Sequence, residues 1–321
     1  MNYSPIVIVG GEPNSVFLEI FFKTLNVSKI KSPLILISSE EILKKQMKKF
    51  NCKKKIKLLN YKNIQNKKLD NKSINLINIE FKQKKTFEKI SSKSNKFLEK
   101  SFLIAFKILK KKKIYKFING PISKKSFLNK KYLGITEYIS KKFSIKNSCM
   151  LIYNKNLSVC PITTHLPLKQ VAKKINKETI TKKIILINNF YEKILKIKPK
   201  IALLGLNPHC ESIHKFDEDE KIIRPLVNTL KKKFKISGPY PADTVFIKNI
   251  RKKFNVIVGM YHDQVLTPIK TLYEYDAINI TLGLPFVRIS PDHGPNERML
   301  GKNLSNPLSL IQAINFLEKH C

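Results

Sequence analysis

Three histidines follow short apolar runs in a way that could assemble chemistry. His262, in Gly259-Met260-Tyr261-His262-Asp263-Gln264, follows Asn255-Val256-Ile257-Val258. His165, in Thr163-Thr164-His165, follows residues 157–162, and His209, in Asn207-Pro208-His209, follows Ile201-Ala202-Leu203-Leu204. Runs of this kind read as buried strands, and ligands of α/β proteins sit at the carboxyl ends of strands. Three imidazoles gathered there would make a neutral site for a divalent metal, with positions left open for substrate. The spacing alone also allows three unrelated structural histidines, because no compact metal motif is present. His214 and His320 read as structural or surface residues, and His293, in Asp292-His293-Gly294-Pro295, as either a fourth ligand or a turn residue.

A second group could hold an anion. Lys270 lies eight residues after His262, and Arg288 nine after Asn279, all of them read as lying near strand ends. Lys, Asn and Arg converging on one pocket suit a phosphate or carboxylate. Ordinary surface charge is the competing explanation for Lys270 in so lysine-rich a chain, and a weaker one for Arg288, because arginine is scarce here. Asp243, in Gly238-Pro239-Tyr240-Pro241-Ala242-Asp243-Thr244, falls in the first turn of a helix, where it could cap or act as a base near a metal.

The elements that must position these groups alternate. Strands are expected at residues 6–9, 34–37, 114–118, 150–153, 157–162, 201–204, 278–282 and 286–289, with a strand carrying His262 at its tip. Helices are expected at 15–25, from Ser38-Ser39-Glu40-Glu41 onward, and at 97–109, 171–175, 180–195, 217–234, 242–254 and 305–319. Residues 150–162 should form a hairpin around Asn154-Lys155-Asn156, and residues 44–100 are Lys/Asn-rich and weakly patterned. The alternation means an α/β fold with a mainly parallel sheet, in two lobes. Gly10-Gly11 is not Gly-x-Gly-x-x-Gly, so a nicotinamide cofactor would need an architecture without the Rossmann fingerprint.

Composition bounds the rest. The 321 residues carry a formal net charge of +39. Lysines are spread through nearly every segment, without an Arg-rich arm, a zinc-finger spacing or an RNA-binding aromatic signature, so solvated helix faces explain them better than a nucleic-acid partner. Five cysteines, an odd number without a Cys-x-x-Cys pair, argue against a disulfide framework and fit a reduced cytoplasmic setting. The N-terminus lacks the basic region of a signal peptide, and no apolar run reaches membrane-spanning length.

Several stretches together resemble the 4-hydroxythreonine-4-phosphate dehydrogenase family of vitamin B6 biosynthesis. They are Asn119-Gly120-Pro121-Ile122-Ser123-Lys124, Gly134-Ile135-Thr136-Glu137, Thr163-Thr164-His165-Leu166-Pro167-Leu168, Leu206-Asn207-Pro208-His209, the 238–244 and 261–264 segments, and residues 279–294. The resemblance implies a homodimer with a two-lobed α/β/α fold like isocitrate and isopropylmalate dehydrogenases, which bind NAD without a Rossmann motif. It implies lobe 1 at about 1–130 plus 290–321, and lobe 2 at about 131–289 carrying most site residues and the dimer contact. His165, His209 and His262 match the family's metal ligands (zinc, magnesium or cobalt), contributed across the dimer. Thr136, Lys270, Asn279 and Arg288 match its substrate contacts. The implied reaction is NAD(P)-dependent oxidation of 4-phosphooxy-L-threonine at C3, followed by decarboxylation to 3-amino-2-oxopropyl phosphate. Lys270, Asp243 and Asp263 are the candidates for proton transfer or for orienting a ligand; the residues that would bind the cofactor are not identified.

The chain departs from the family pattern at Ile135, where the family has His, at Val265, where it has Gly, and in the loop Glu12-Pro13-Asn14-Ser15-Val16. Ile135 keeps open a related substrate, such as a phosphotetronate. A degenerate basic scaffold that binds nucleic acid is the reading from another class, and retention of three histidines with Lys270 and Arg288 speaks against it.

Overall fold

A computed structural model describes the chain apart from residues 1–2, 28, 65–68, 112–113, 129–131, 133, 212–215 and 292–293. It divides into two compact units, residues 1–139 with 285–321, and residues 140–284. Thr136 and Arg288 therefore belong to unit 1, although both fall inside the 131–289 span assigned to lobe 2 from the sequence. His165, His209, His262, Lys270 and Asn279 belong to unit 2.

Unit 1 begins with β1 (Ile6–Val9), α1 (Phe17–Val27), β2 (Leu34–Ser38), α2 (Glu40–Lys49), β3 (Ile56–Leu58), β4 (Ile74–Asn78), α3 (Asn95–Lys110) and β5 (Lys116–Asn119), and α4 (Ile135–Lys142) crosses its boundary. Every residue of β1 and β2 is buried, which continuous β-branched and Leu runs allow in a parallel strand covered on both faces. Ser39 caps α2 by accepting from the Ile42 amide at 3.4 Å, with Glu40 and Glu41 at the positive end of the helix and Lys48 and Lys49 at its negative end.

Unit 2 follows with β6 (Cys149–Tyr153), β7 (Ser158–Pro161), α5 (Lys177–Phe190), β8 (Ile201–Leu204), α6 (Arg224–Leu230), β9 (Ile236–Tyr240), α7 (Ala242–Val245), α8 (Lys248–Arg251), β10 (Val256–Gly259), α9 (His262–Tyr273) and β11 (Ile278–Leu282). The chain then returns to unit 1 as β12 (Val287–Pro291) and α10 (Leu308–His320).

The strand order in unit 1 is β3-β4-β2-β1-β5-β12, parallel throughout. The chain winds outward from β1 through β2, then returns to the other side of β1 at β5. That reversal opens a crevice at the carboxyl ends of β1 and β5. The loops beyond those ends cross in backbone contact: a Cβ on Gly120 would lie 2.4 Å from the Gly10 carbonyl oxygen, so only glycine fits. In unit 2 the order is β11-β6-β7-β10-β8-β9, with β6 antiparallel to both its neighbours and the other pairs parallel. The expected hairpin at 150–162 is present as β6 and β7.

Three expected elements differ. The 242–254 helix is two short ones, because the Arg251 guanidinium takes the Phe246 carbonyl at 2.8 Å where a continuous helix would place a backbone amide. Residues 168–174 form two short 3₁₀ turns, and the 217–234 helix opens as a wide turn at Asp219–Ile223 before α6. Among the described residues, no helix is long and apolar enough to cross a membrane. The five cysteines are free thiols.

One buried acid sits at the end of β1. Glu12 is 1% exposed, and its Oε2 accepts from the Ser94 hydroxyl at 3.1 Å. Burial lifts its carboxyl from 4.5 to about 7, the Ser94 hydrogen bond opposes the rise, and the Glu297 charge adds to it. A carboxyl with a raised pKa in the fold contributes stability below its unfolded value, and that contribution is lost as pH rises through about 7. Glu12→Gln should therefore leave stability nearly unchanged at pH 4.5 and raise it at pH 8, by roughly 3 kcal/mol at most. Denaturant midpoints at the two pH values check this. An equal shift at both would contradict an ionising buried acid.

Candidate active site

In unit 2 the strands β7, β10 and β8 are adjacent and parallel, and Val258 of β10 stands level with Cys160 and Leu203. Their carboxyl ends are therefore aligned, and the segments leaving them carry His165, His262 and His209 in turn. The rings of His165 and His262 lie 6.1 Å apart between centroids. Two imidazoles sharing one ion at about 2.1 Å would sit roughly 1 Å closer. Among the described residues of one chain, no three His, Cys, Asp or Glu side chains are gathered closely enough to hold an ion. His214 and His293 lie outside the described residues. His320 packs on the Phe316 ring at 4.8 Å, a structural role.

The three segments are tied to one another by buried hydrogen bonds. The Thr163 hydroxyl and amide both donate to the Met260 carbonyl, at 2.8 and 3.1 Å, joining the His165 segment to the His262 segment. Gln264 then bridges in the other direction. Its Oε1 accepts from the Met260 amide at 2.7 Å, and its Nε2 donates to the Gly205 carbonyl at 2.8 Å, where the His209 segment begins.

Beyond Gly205, the buried carboxylate of Asp219 accepts from the amides of Leu206 and Asn207 and from Asn207 Nδ2, at 2.8, 2.9 and 3.0 Å. Burial raises the Asp219 pKa, and these hydrogen bonds oppose the rise. A Cβ on Gly205 would stand 2.6 Å from Asp219 Oδ1 and 2.7 Å from Cys210 Sγ, so the turn closes only around glycine. This frame holds His209 and Cys210 at φ 57° and 62°, a sparsely populated region for side chains of this kind. Sequence reasoning assigned Asp219 to a helix end and overlooked Gln264. Both act on residues at least a dozen positions away, which no local pattern reports.

Gln264→Leu removes both bridges and leaves the Met260 amide and the Gly205 carbonyl buried without partners. Each costs about 1–3 kcal/mol, so unfolding stability should fall by roughly 2–4 kcal/mol. A denaturant midpoint near wild type would contradict the bridge.

The strand expected to carry His262 at its tip is β10. β10 ends at Gly259, the chain turns at Met260 and Tyr261, and His262 is the first residue of α9. This helix, with Pro268 inside it, was not among the expected ones. Val265 and Ile269, one helical turn apart, are fully buried in the unit 2 core and fix the helix there. Lys270 consequently projects from a helix two turns past His262 rather than from a strand end. Asp263 is 81% exposed, and its Oδ1 meets His262 Nδ1 at 2.6 Å. With Nδ1 engaged, the free lone pair of His262 is on Nε2. Asp243 is exposed on α7, near enough to Cys210 that its charge, with burial and Asp219 the larger causes, helps push that thiol up to about 11. Asn279 on β11 is half-buried, and its Oδ1 is buried without a hydrogen-bond partner among the described residues.

In unit 1 the anion-binding candidate is Arg288 on β12, fully buried. Its Nε donates to Asn119 Oδ1 at 2.7 Å and its Nη1 to Thr136 Oγ1 at 3.4 Å. Burial lowers its pKa to about 10, and the Glu137 charge opposes the fall, so it stays cationic at neutral pH. A buried guanidinium braced by two neutral side chains is preorganised for a carboxylate or phosphate. Asn119 was not singled out from the sequence, although it lies in a motif that was.

Comparison with known proteins shows the family. The family model described as pyridoxal phosphate biosynthetic protein PdxA matches residues 29–317. The chain is 38% identical over 319 residues to a 4-hydroxythreonine-4-phosphate dehydrogenase of Sulfurihydrogenibium sp. (strain YO3AOP1), covering 96% of each. It is 34% identical over 185 residues, 57% of each chain, to a D-threonate 4-phosphate dehydrogenase of Pectobacterium atrosepticum. A crystal structure of 4-hydroxythreonine-4-phosphate dehydrogenase from Klebsiella pneumoniae superimposes with a TM-score of 0.83 at 25% identity, covering 98% of both chains.

Proposed function

The chain belongs to the PdxA family of pyridoxal phosphate biosynthetic proteins, and on that premise we propose that it oxidises 4-phosphooxy-L-threonine with NAD(P) and decarboxylates the product to 3-amino-2-oxopropyl phosphate. The observation that carries this reading is the set of three histidines at the aligned ends of β7, β10 and β8, braced together through Thr163, Gln264 and Asp219. Their donor chemistry fits a divalent ion, and imidazole suits zinc or cobalt better than magnesium. Two of the rings are already close, and a second copy of the chain, in a homodimer, completes the set.

His165, His209 and His262 would hold the ion, which would supply Lewis-acid polarisation at the C3 oxygen, and a bound NAD(P) would supply the hydride acceptor. The remaining roles fall to side chains. Arg288, positioned by Asn119 and Thr136, holds an anionic group of the substrate. Asn279 Oδ1 accepts from a substrate donor, an amine or a hydroxyl. Asp263 keeps a proton on His262 Nδ1 and so fixes the ring. Lys270 and Asp243 are left to move the C3 hydroxyl proton, and Lys270 also offers charge to the phosphate. Free thiols and a dehydrogenase family fit a cytoplasmic enzyme.

A second reading has its own support. Ile135 opens α4 beside Thr136 and has no hydrogen-bonding group, and one relative is named for D-threonate 4-phosphate. Rates of NAD(P) reduction with 4-phosphooxy-L-threonine and with D-threonate 4-phosphate decide between them. A kcat/KM at least tenfold higher for the amino substrate is expected. The reverse order would assign the chain to the hydroxy acid, and no turnover of either would remove the dehydrogenase reading.

A further inference from the structure

We propose that Lys183 of α5 is a positioning residue for the metal site, its ammonium fixing the end of β7 and through it the aim of the His165 ring. This deepens the proposed function and rests on the reading of His165, His209 and His262 as metal ligands. Lys183 Nζ donates to the carbonyls of Pro161 and Ile162, at 3.2 and 2.6 Å. Pro161 is the last residue of β7, and Ile162 stands three residues before His165.

The strand end is held by two sets of bonds. The Ile162 amide donates to the Gly259 carbonyl at 2.7 Å, and Thr163 donates its amide and hydroxyl to the Met260 carbonyl. The donors of residues 162 and 163 thus go to the His262 segment, and the carbonyls of 161 and 162 go to Lys183. Ile162 and Thr163 are buried, and a buried carbonyl needs a donor; a charged donor binds it more strongly than a neutral one.

The helix that carries Lys183 is a fixed base. Asn176 caps it by accepting from the Thr179 amide at 2.9 Å, and Ile180, Ile184 and Ile187 seat it with no exposed surface. Lys183 itself is half-buried, and among the described residues no carboxylate pairs with it. The two strand-end carbonyls, rather than a salt bridge, therefore account for where the ammonium stands. Beyond Thr163 the chain turns tightly, the Leu166 amide donating to the Thr164 carbonyl at 2.8 Å. A shift of the strand end is passed directly to the imidazole between them. Groups that orient a metal-binding histidine typically change metal affinity by about 10–100-fold when removed.

Cobalt(II) titration of the chelated full-length protein, followed by calorimetry and by the visible spectrum of the bound ion, tests this. Lys183→Met should weaken cobalt by roughly tenfold or more and alter the spectrum. Amide exchange at residues 162–166 of the metal-free variant should speed up. Lys183→Arg, which keeps a charged donor, should recover most of the affinity. Lys183→Gln, neutral and shorter, should fall between them, and it keeps the test decisive where the methionine protein fails to fold. Ile187→Ala loosens the same helix without touching the two carbonyls, so it should lower the thermal midpoint and leave cobalt binding unchanged. Wild-type affinity and spectrum in Lys183→Met or Lys183→Gln would overturn the proposal and leave the histidine site standing. Ile187→Ala weakening cobalt as much as Lys183→Met would also overturn it, making Lys183 a helix-seating residue only. A wild-type protein that binds no cobalt would remove the histidine site as well.

Discussion

His209→Ala lowers kcat/KM by about a thousandfold or more while leaving the fold in place. The ring projects from a turn whose shape is set by Gly205, Asn207 and Asp219, none of which depends on the imidazole. Its loss removes one of the three proposed metal donors. Lewis-acid polarisation of the reacting oxygen is worth several kcal/mol, and three orders of magnitude corresponds to about 4 kcal/mol. The thermal midpoint should stay within a few degrees of wild type, and the metal retained after dialysis should fall in parallel with the rate. Asp219→Ala reaches the same histidine by another route. It leaves the amides of Leu206 and Asn207 unpaired, so it should cost both stability and metal, whereas His209→Ala costs only metal. A His209→Ala enzyme with wild-type turnover would remove this residue from the chemistry.

Arg288→Met should reduce kcat/KM by about a hundredfold to a thousandfold, mostly through KM. Arg288 is 0% exposed, and its partners Asn119 and Thr136 are neutral. Removing a buried, hydrogen-bonded charge that meets an anionic substrate typically costs about 2–5 kcal/mol of binding. Stability should respond in the opposite sense. Methionine fills much of the same volume without a charge to desolvate, so unfolding free energy should hold within about 1 kcal/mol or rise. Steady-state kinetics with a denaturant melt separates the two effects. Unchanged KM together with a large loss of stability would make Arg288 a structural residue only.

What the sequence made legible follows from how local each signal is. β1, β2, β8 and β10 are unbroken apolar runs, and each became a buried strand close to the expected boundaries. The three histidines could be placed at strand ends because each follows such a run within a few residues. Their adjacency could not be read, since the order β7-β10-β8 is a crossover property. α9, which carries Lys270, was not among the expected helices. Gln264 reaches Gly205 across 59 residues, and Arg288 reaches Asn119 across 169, distances over which residue spacing carries no information. The 81–94 stretch offered no periodicity, and its contribution emerges only through Asn14 and Glu12.

The most direct measurement is NAD(P)H formation from 4-phosphooxy-L-threonine by the purified protein after exhaustive chelation and then after return of zinc or cobalt, with released CO₂ measured alongside. The strand-end histidine site predicts that chelation abolishes both signals, that the returned ion restores both in equal amounts, and that His262→Ala cannot be restored. Full turnover by the chelated protein, or restoration of the His262→Ala enzyme to the wild-type rate, would contradict it.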